Sequence, residues 1–235
     1  MWCLRFLKRQ NLTMRTPTHI SQPLKENAYQ EIKSFFKNII DMRKGLSIYD
    51  NIENIGNTDE TPIWFEFYAK KAIAKIGEKH INIRTFGTEK IRITVLLTIL
   101  GNGIKLPPLL VFKGKPNGNI IYNRLQKHPS VTKGTIIVKC QENSWVNQEI
   151  FLDYLTNIWL KPSIRKKTKN TLLIMDRAGS HFSDDISETF KIENCKYILI
   201  PAGMTRFLQP LDVCINKPFK DAFRKSYTDF EKKTV

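Results

Sequence analysis

Thr171-Leu172-Leu173-Ile174-Met175-Asp176 is the stretch that decides the fold. Five uncharged, mostly large apolar residues are too few for a buried helix and suit a strand covered on both faces, the kind that a parallel sheet with helices on each side requires. The carboxylate that ends the run then emerges at the carboxyl edge of the sheet, where open α/β sheets keep their sites. An Asp in this position also caps a following helix or turn, and the run by itself does not choose between the two roles.

Working outward, a helical pattern over 183–190 and a strand over 197–200 follow, and a helix over 218–232 closes the chain. Upstream, 147–160 carries Ile150, Phe151, Tyr154, Leu155, Ile158 and Trp159 at helical spacing, and 134–140 reads as a strand. Before these, β-branched residues mark strands over 92–100 and 109–112. Gly101-Asn102-Gly103 between them predicts a hairpin. Further strands are expected over 82–85, 52–57 and 63–67, the last two flanking a turn-like Asn57-Thr58-Asp59-Glu60. A helix over 26–43 precedes them, behind a Thr-, Ser- and Pro-rich connector and a short basic amphipathic helix from Trp2 to Asn11. Antiparallel strands followed by strand-helix-strand units predict an α/β fold: a mixed sheet flanked by helices.

With 235 residues and 41% hydrophobic content, one sizeable core is the expectation. Lys and Arg number 38 against 22 acids, a net charge of +16, and they run from Arg5 to Lys233 instead of gathering in a tail. A broad basic surface fits a polyanion, and nucleic acid stands ahead of an acidic membrane surface. The longest apolar region, 91–112, is broken by charges, glycines and Pro107-Pro108, so a membrane span is not expected. Cys3, Cys140, Cys195 and Cys214 form no CxxC pair, and no grouping with His19, His80, His128 or His181 has ligand spacing, which argues against zinc and disulfides. No signal-peptide core develops at the head, and a reduced intracellular setting is expected.

Four further features bear on chemistry. Asp59, between two strand-like runs, reads alone as a turn residue. Asp212, in Leu208-Gln209-Pro210-Leu211-Asp212-Val213, reads alone as an N-cap of the last helix. His181, five residues after Asp176, suits a supporting role, and the cluster Arg165-Lys166-Lys167-Thr168-Lys169 suits a solvated loop.

Taken together these segments resemble a known family. Asn57-Thr58-Asp59-Glu60-Thr61-Pro62, the run 84–95, the run 105–114 with Pro107-Pro108, Leu173-Ile174-Met175-Asp176 with His181, and Leu208-Gln209-Pro210-Leu211-Asp212-Val213 with Asn216-Lys217-Pro218-Phe219-Lys220 resemble, in family order, the DDE endonuclease domain of pogo and Tigger transposases. The head, with Trp2, Phe6, Arg9, Leu12, Arg15 and 18–22, resembles the end of the family's centromere protein B-like helix-turn-helix region.

The resemblance implies an RNase H-like sheet with a short helical remnant before it. Residues 1–22 would be the end of a truncated DNA-binding region, 23–50 a helical connector, and 51–235 the endonuclease domain, expected to be incomplete at its C-terminus. It implies that Asp59, Asp176 and Asp212 are the catalytic and metal-binding triad, with 35 residues between the second and third. Carboxylates suit hard, oxygen-seeking Mg²⁺ or Mn²⁺, two ions by family pattern, and such phosphoryl transfer needs no protein nucleophile. DNA is the implied partner, with Arg5, Lys8, Arg9 and Arg15 as candidate contacts, a homodimer as a possible assembly, and the nucleus as the expected location. The competing expectation is an inactive, host-adopted or decayed transposase fragment that only binds DNA.

Overall fold

A computed structural model describes residues 2–10, 27–48, 50–65, 92–115, 120–161, 170–177, 183–192 and 194–234. Its strands are β1 (Ile55–Trp64), β2 (Arg92–Leu100), β3 (Leu109–Lys113), β4 (Ile137–Gln141), β5 (Thr171–Met175) and β6 (Cys195–Leu199). They form one sheet in the order β4-β3-β2-β1-β5-β6. β1, β2 and β3 pair antiparallel, while β4 joins β3, and β5 and β6 continue from β1, in parallel. The helices are α1 (Trp2–Arg9), α2 (Ala28–Gly45), α3 (Ile120–Gln126), α4 (Pro129–Thr132), α5 (Gln148–Tyr154), α6 (Asp184–Ile192), α7 (Thr205–Leu208) and α8 (Asn216–Thr234).

Helices cover both faces of the sheet. On one face α5, the π-helical turn Leu155–Trp159 that extends it, and α6 pack Phe151, Tyr154, Trp159, Ile186 and Phe190 against Leu96, Leu173 and Met175. On the other, α2 and α7 bring Phe35, Met204 and Leu208 onto Leu172 and Ile198, and α8 brings Phe219 and Phe223 onto Ile63, Ile93 and Val95. β5 is buried from both sides, as its apolar run predicts. Local chemistry starts the helices: Asn147 Oδ1 accepts from Ile150 N at the head of α5, and Ser183 Oγ from Ile186 N at the head of α6. The 101–103 hairpin is present, with Gly103 at φ 85°, a backbone conformation that favours glycine.

Two expectations are corrected. Residues 52–57 and 63–67 are not two strands around a turn; β1 runs unbroken through Asn57, Thr58, Asp59 and Glu60. Local propensity favours a turn there, but two neighbouring strands and a set of distant side chains satisfy the polar groups in extended form. Asp212 likewise does not cap the last helix. It lies in the π-helical turn Leu211–Ile215, which runs directly into α8. The strand expected over 82–85 lies outside the described residues, as do His181 and the basic cluster 165–169.

Gly56 shows how closely β1 is packed. A Cβ there would lie 2.3 Å from the fully buried Trp159 ring. Gly56→Ala is therefore expected to destabilise the chain by about 1–3 kcal/mol through overpacking, read as a lower thermal midpoint. Combined with Trp159→Phe, the loss should fall short of the sum of the two single losses.

Candidate active site

Side chains alternate across a strand, so Asn57, Asp59 and Thr61 share the face of Ile55 and Ile63. All three are buried, in the interval between the two apolar clusters on that face. Polar groups in such a place cost stability unless each finds a partner. Here the partners come from residues 209–216, about 150 positions downstream. Asn57 Nδ2 donates to Gln209 Oε1 at 2.6 Å and to the Ile174 carbonyl at 3.0 Å, and Asn57 Oδ1 accepts from Leu211 N at 3.2 Å. Gln209, with no exposed surface, returns a bond from Nε2 to the Thr58 carbonyl at 3.0 Å. This reciprocal amide clasp fastens the segment that carries Asp212 across β1 and β5.

Asp59 and Asp212 meet on one side chain. Asn216 Nδ2 donates to Asp59 Oδ2 at 2.6 Å and to Asp212 Oδ1 at 2.9 Å. Asp59 and Asn216 are 4% and 5% exposed, whereas Asp212 reaches solvent. Asp176 follows the last residue of β5 and is half-buried. The β1–β5 pairing sets Asn57 beside Ile174, an offset of 117 positions; carried two residues further, the same offset sets Asp59 beside Asp176.

The electrostatics match this gathering. Burial pushes the Asp59 carboxyl up from 3.8 to about 7; hydrogen bonds from Gln209 and Asn216 oppose the rise, and the negative charges of Asp212 and, last, Asp176 add to it. One turn beyond Asn216, burial lowers the ammonium pKa of the half-buried Lys220, against the raising effect of Asp212 and Asp59. Asp212, Asn216 and Lys220 thus present successive turns of one helical face to the buried Asp59.

Among the described residues no set of three or more His, Cys, Asp or Glu side chains is arranged to hold a metal ion. The structure joins Asp59 and Asp212 through a shared amide, and brings Asp176 to them through strand register and charge. All the acids in this group offer oxygen, a donor set that suits a hard divalent cation. Of the candidate DNA contacts, Arg5 and Arg9 are exposed on α1, Lys8 lies on the same helix, and Arg15 lies outside the described residues. Clefts of about 580 and 660 Å³ run along β4, with Tyr122, Lys139 and Asp153 in both, and neither is lined by Asp59, Asp176 or Asp212. Asp59 is enclosed within β1, Asp176 follows the end of β5, and Asp212 is exposed.

Sequence reasoning passed over Asn57, Gln209, Asn216 and Lys220. For the last two a signal was present, since 212, 216 and 220 are spaced by four on what proves to be a helix. Nothing local marks Asn57 and Gln209 as partners.

The raised Asp59 carboxyl has a consequence for stability. Its folded-state pKa lies above its ordinary value, so the folded form holds the proton more tightly than the unfolded form. The favourable contribution is full below about pH 3.8 and is lost as pH rises through about 7. In chelator, the thermal midpoint should fall over that window for this group, and Asp59→Asn should flatten that part of the profile. Identical profiles for the two proteins would contradict the assignment of Asp59 as a buried, reluctantly ionised acid.

Comparison with known proteins bears on the family and the fold. The family model of the DDE superfamily endonuclease matches residues 90–232, a span that includes Asp176 and Asp212 and begins after Asp59. The human "Pogo transposable element with KRAB domain" is 28% identical over 229 residues, 97% of this chain and 36% of that protein; the chain thus spans about a third of this curated relative. Among solved structures, the Mos1 transposase paired-end complex with left transposon end is similar with a TM-score of 0.58 and 14% identity, over 99% of this chain and 61% of that one. The mariner Mos1 paired end complex with Mg is similar with a TM-score of 0.57 and 16% identity, over 94% and 56%. At such identity the structural likeness speaks for the fold, which is RNase H-like, and the family match, covering more than half the chain, speaks for descent: the chain belongs to the DDE superfamily endonucleases.

Proposed function

We propose that the chain is the DNA-cleaving core of a transposase-derived endonuclease and strand transferase, with Asp59, Asp176 and Asp212 as its catalytic carboxylates and two Mg²⁺ or Mn²⁺ ions as cofactors. The observation that carries the reading is a carboxylate buried in the middle of the central strand, tied through one amide to Asp212 and set by strand register beside Asp176. A carboxylate held near pKa 7 is costly to keep ionised, and a cation shared with its neighbours removes that cost. Likeness to the Mos1 complex with left transposon end and to the Mos1 complex with Mg supports DNA and a divalent ion as the ligands.

Asp59, Asp176 and Asp212 would hold the ions, which when bound would supply Lewis-acid activation of the attacking oxygen and charge neutralisation at the phosphate. The chain's own part is to gather and hold negative charge at one sheet edge. In the reaction, a water oxygen forms a bond to phosphorus, the bond from phosphorus to the 3′ oxygen breaks, the water's proton leaves to solvent, and the freed oxygen is protonated to a 3′ hydroxyl. In strand transfer that hydroxyl attacks a second phosphodiester, and another 3′ oxygen departs. Lys220, beside the acids on α8, is suited to face a phosphate as substrate approaches. The charge of +16 supports a long DNA contact, with Arg5, Lys8, Arg9 and Arg15 as candidate contributors and the nucleus as the place of action.

A second reading, DNA binding without cleavage, draws on one specific observation: among the described residues the acids are not yet arranged as a three-ligand metal site. The two readings differ in one assay. Purified, folded protein with Mg²⁺ or Mn²⁺ is expected to nick supercoiled plasmid with little sequence preference, and Asp176→Asn to lower nicking by at least a hundredfold while leaving DNA affinity within about threefold. Nicking that survives the substitution would locate the chemistry elsewhere; DNA binding with no nicking across a range of both metals would establish the binding-only reading. DNA affinity itself should fall about linearly in log–log form as salt rises, because lysines and arginines displace condensed counterions. Affinity indifferent to salt would contradict a contact dominated by phosphate.

A further inference from the structure

Asn216 stands between the two joined acids without belonging to the triad. Its side chain is almost wholly buried, and its single amide nitrogen donates to Asp59 Oδ2 at 2.6 Å and to Asp212 Oδ1 at 2.9 Å. The orientation of the amide follows from chemistry: an unprotonated carboxyl oxygen only accepts, and Asp59 Oδ2 and Asp212 Oδ1 both face this group, so turning the amide over would set an oxygen against two acceptor oxygens. The other end of the group supplies an independent observation. Asn216 Oδ1 is buried and has no hydrogen-bond partner among the described residues. A buried acceptor left dry costs stability, and such a group at the meeting point of two acids points to a donor that arrives with a ligand.

The placing is economical. One –NH2 group has two hydrogens, here spent on one oxygen of each carboxylate, leaving a second oxygen on each. The shared donor draws the two carboxyl groups to a common point before any cation is present. The rest of the molecule holds the donor still: Asn216 begins α8, the π-helical turn before it carries Asp212 four residues earlier, and the Asn57–Gln209 clasp pins the start of that turn to β1.

We propose that Asn216 is a positioning residue for a divalent cation. Its amide NH2 orients Asp59 and Asp212 so that their remaining oxygens share one ion, and its Oδ1 accepts from water bound to that ion. The inference rests on the proposed function above and adds to it a residue that acts through the acids. Outer partners of this kind typically change metal affinity by about 10–100-fold when removed.

The test is a Mn²⁺ titration, followed by calorimetry and by loss of the free-ion paramagnetic resonance signal, with metal-free thermal midpoints for each protein. Asn216→Ala is expected to weaken Mn²⁺ binding by about 10–100-fold. Asn216→Asp keeps the shape, trades the donor for another carboxylate, and is expected to have a lower metal-free midpoint yet bind Mn²⁺ at least as tightly as the natural chain. A merely structural asparagine would not split the two variants in this way. Unchanged Mn²⁺ affinity in Asn216→Ala, or equal loss in both variants, overturns the proposal. Should Asn216→Ala fail to fold, Asn216→Ser, which keeps a small polar side chain but lacks the two N–H donors, decides alone: affinity weakened by about 10–100-fold supports the positioning role and unchanged affinity overturns it. A natural chain that binds no Mn²⁺, or binds it equally well as Asp176→Asn, fails at the level of the proposed function, whereas tight binding that ignores Asn216 fails only here.

Discussion

The amides of Asn57 and Gln209 bond to each other in the dry middle of the molecule, and the arrangement of the acids depends on that contact. A central strand with polar residues on a covered face would otherwise be poor. Each bond contributes only about 0.5–1.5 kcal/mol net, but a buried partner left alone costs about 1–3 kcal/mol. The asymmetry makes the clasp specific more than strong: few other pairings of β1 with residues 209–216 satisfy Asn57, the Thr58 and Ile174 carbonyls and Leu211 N together. Once that register is set, Asp212 and Asn216 have no choice but to face Asp59.

The sheet makes the rest of the site by geometry. β1 extends past the end of its parallel neighbour β5, so a residue in the middle of one strand stands beside the residue that follows the other. Asp59 is thereby enclosed while Asp176 emerges at the edge, and helices on both faces keep water from the inner acid. Trp159, closing against Gly56 on the opposite face, holds β1 from behind. The cost is a carboxylate that resists ionisation. A chain built for stability alone would put an apolar residue there.

Much of this was legible in the sequence, and the reasons differ from element to element. β5 could be read because a short apolar run bounded by a charge has few other interpretations in an α/β chain, and the place of Asp176 at its end follows, while the run left open whether that carboxylate serves a site or caps a turn. The β2–β3 hairpin could be read from Gly101-Asn102-Gly103, whose chemistry is local. β1 was misread as two strands about a turn, because Asn57, Thr58 and Asp59 carry turn propensity and the groups that reconcile them with an extended strand lie about 150 residues away. Asp212 looked like a helix cap for the same reason: its role depends on a strand that is remote in sequence. Resemblance to a family connected the three acids where periodicity could not, yet it did not show Asn216, Gln209 or Asn57 as the side chains that hold them.

The central claim is that one edge of this sheet is a divalent-metal site built on Asp59. Anomalous scattering from crystals grown with Mn²⁺ tests it most directly. The account predicts a peak about 2.1 Å from carboxylate oxygens of Asp59, shared with Asp176, Asp212 or both. Strong peaks confined to other acids, such as Asp184 and Asp185 at the head of α6, with no density at Asp59 under saturating Mn²⁺, would contradict it.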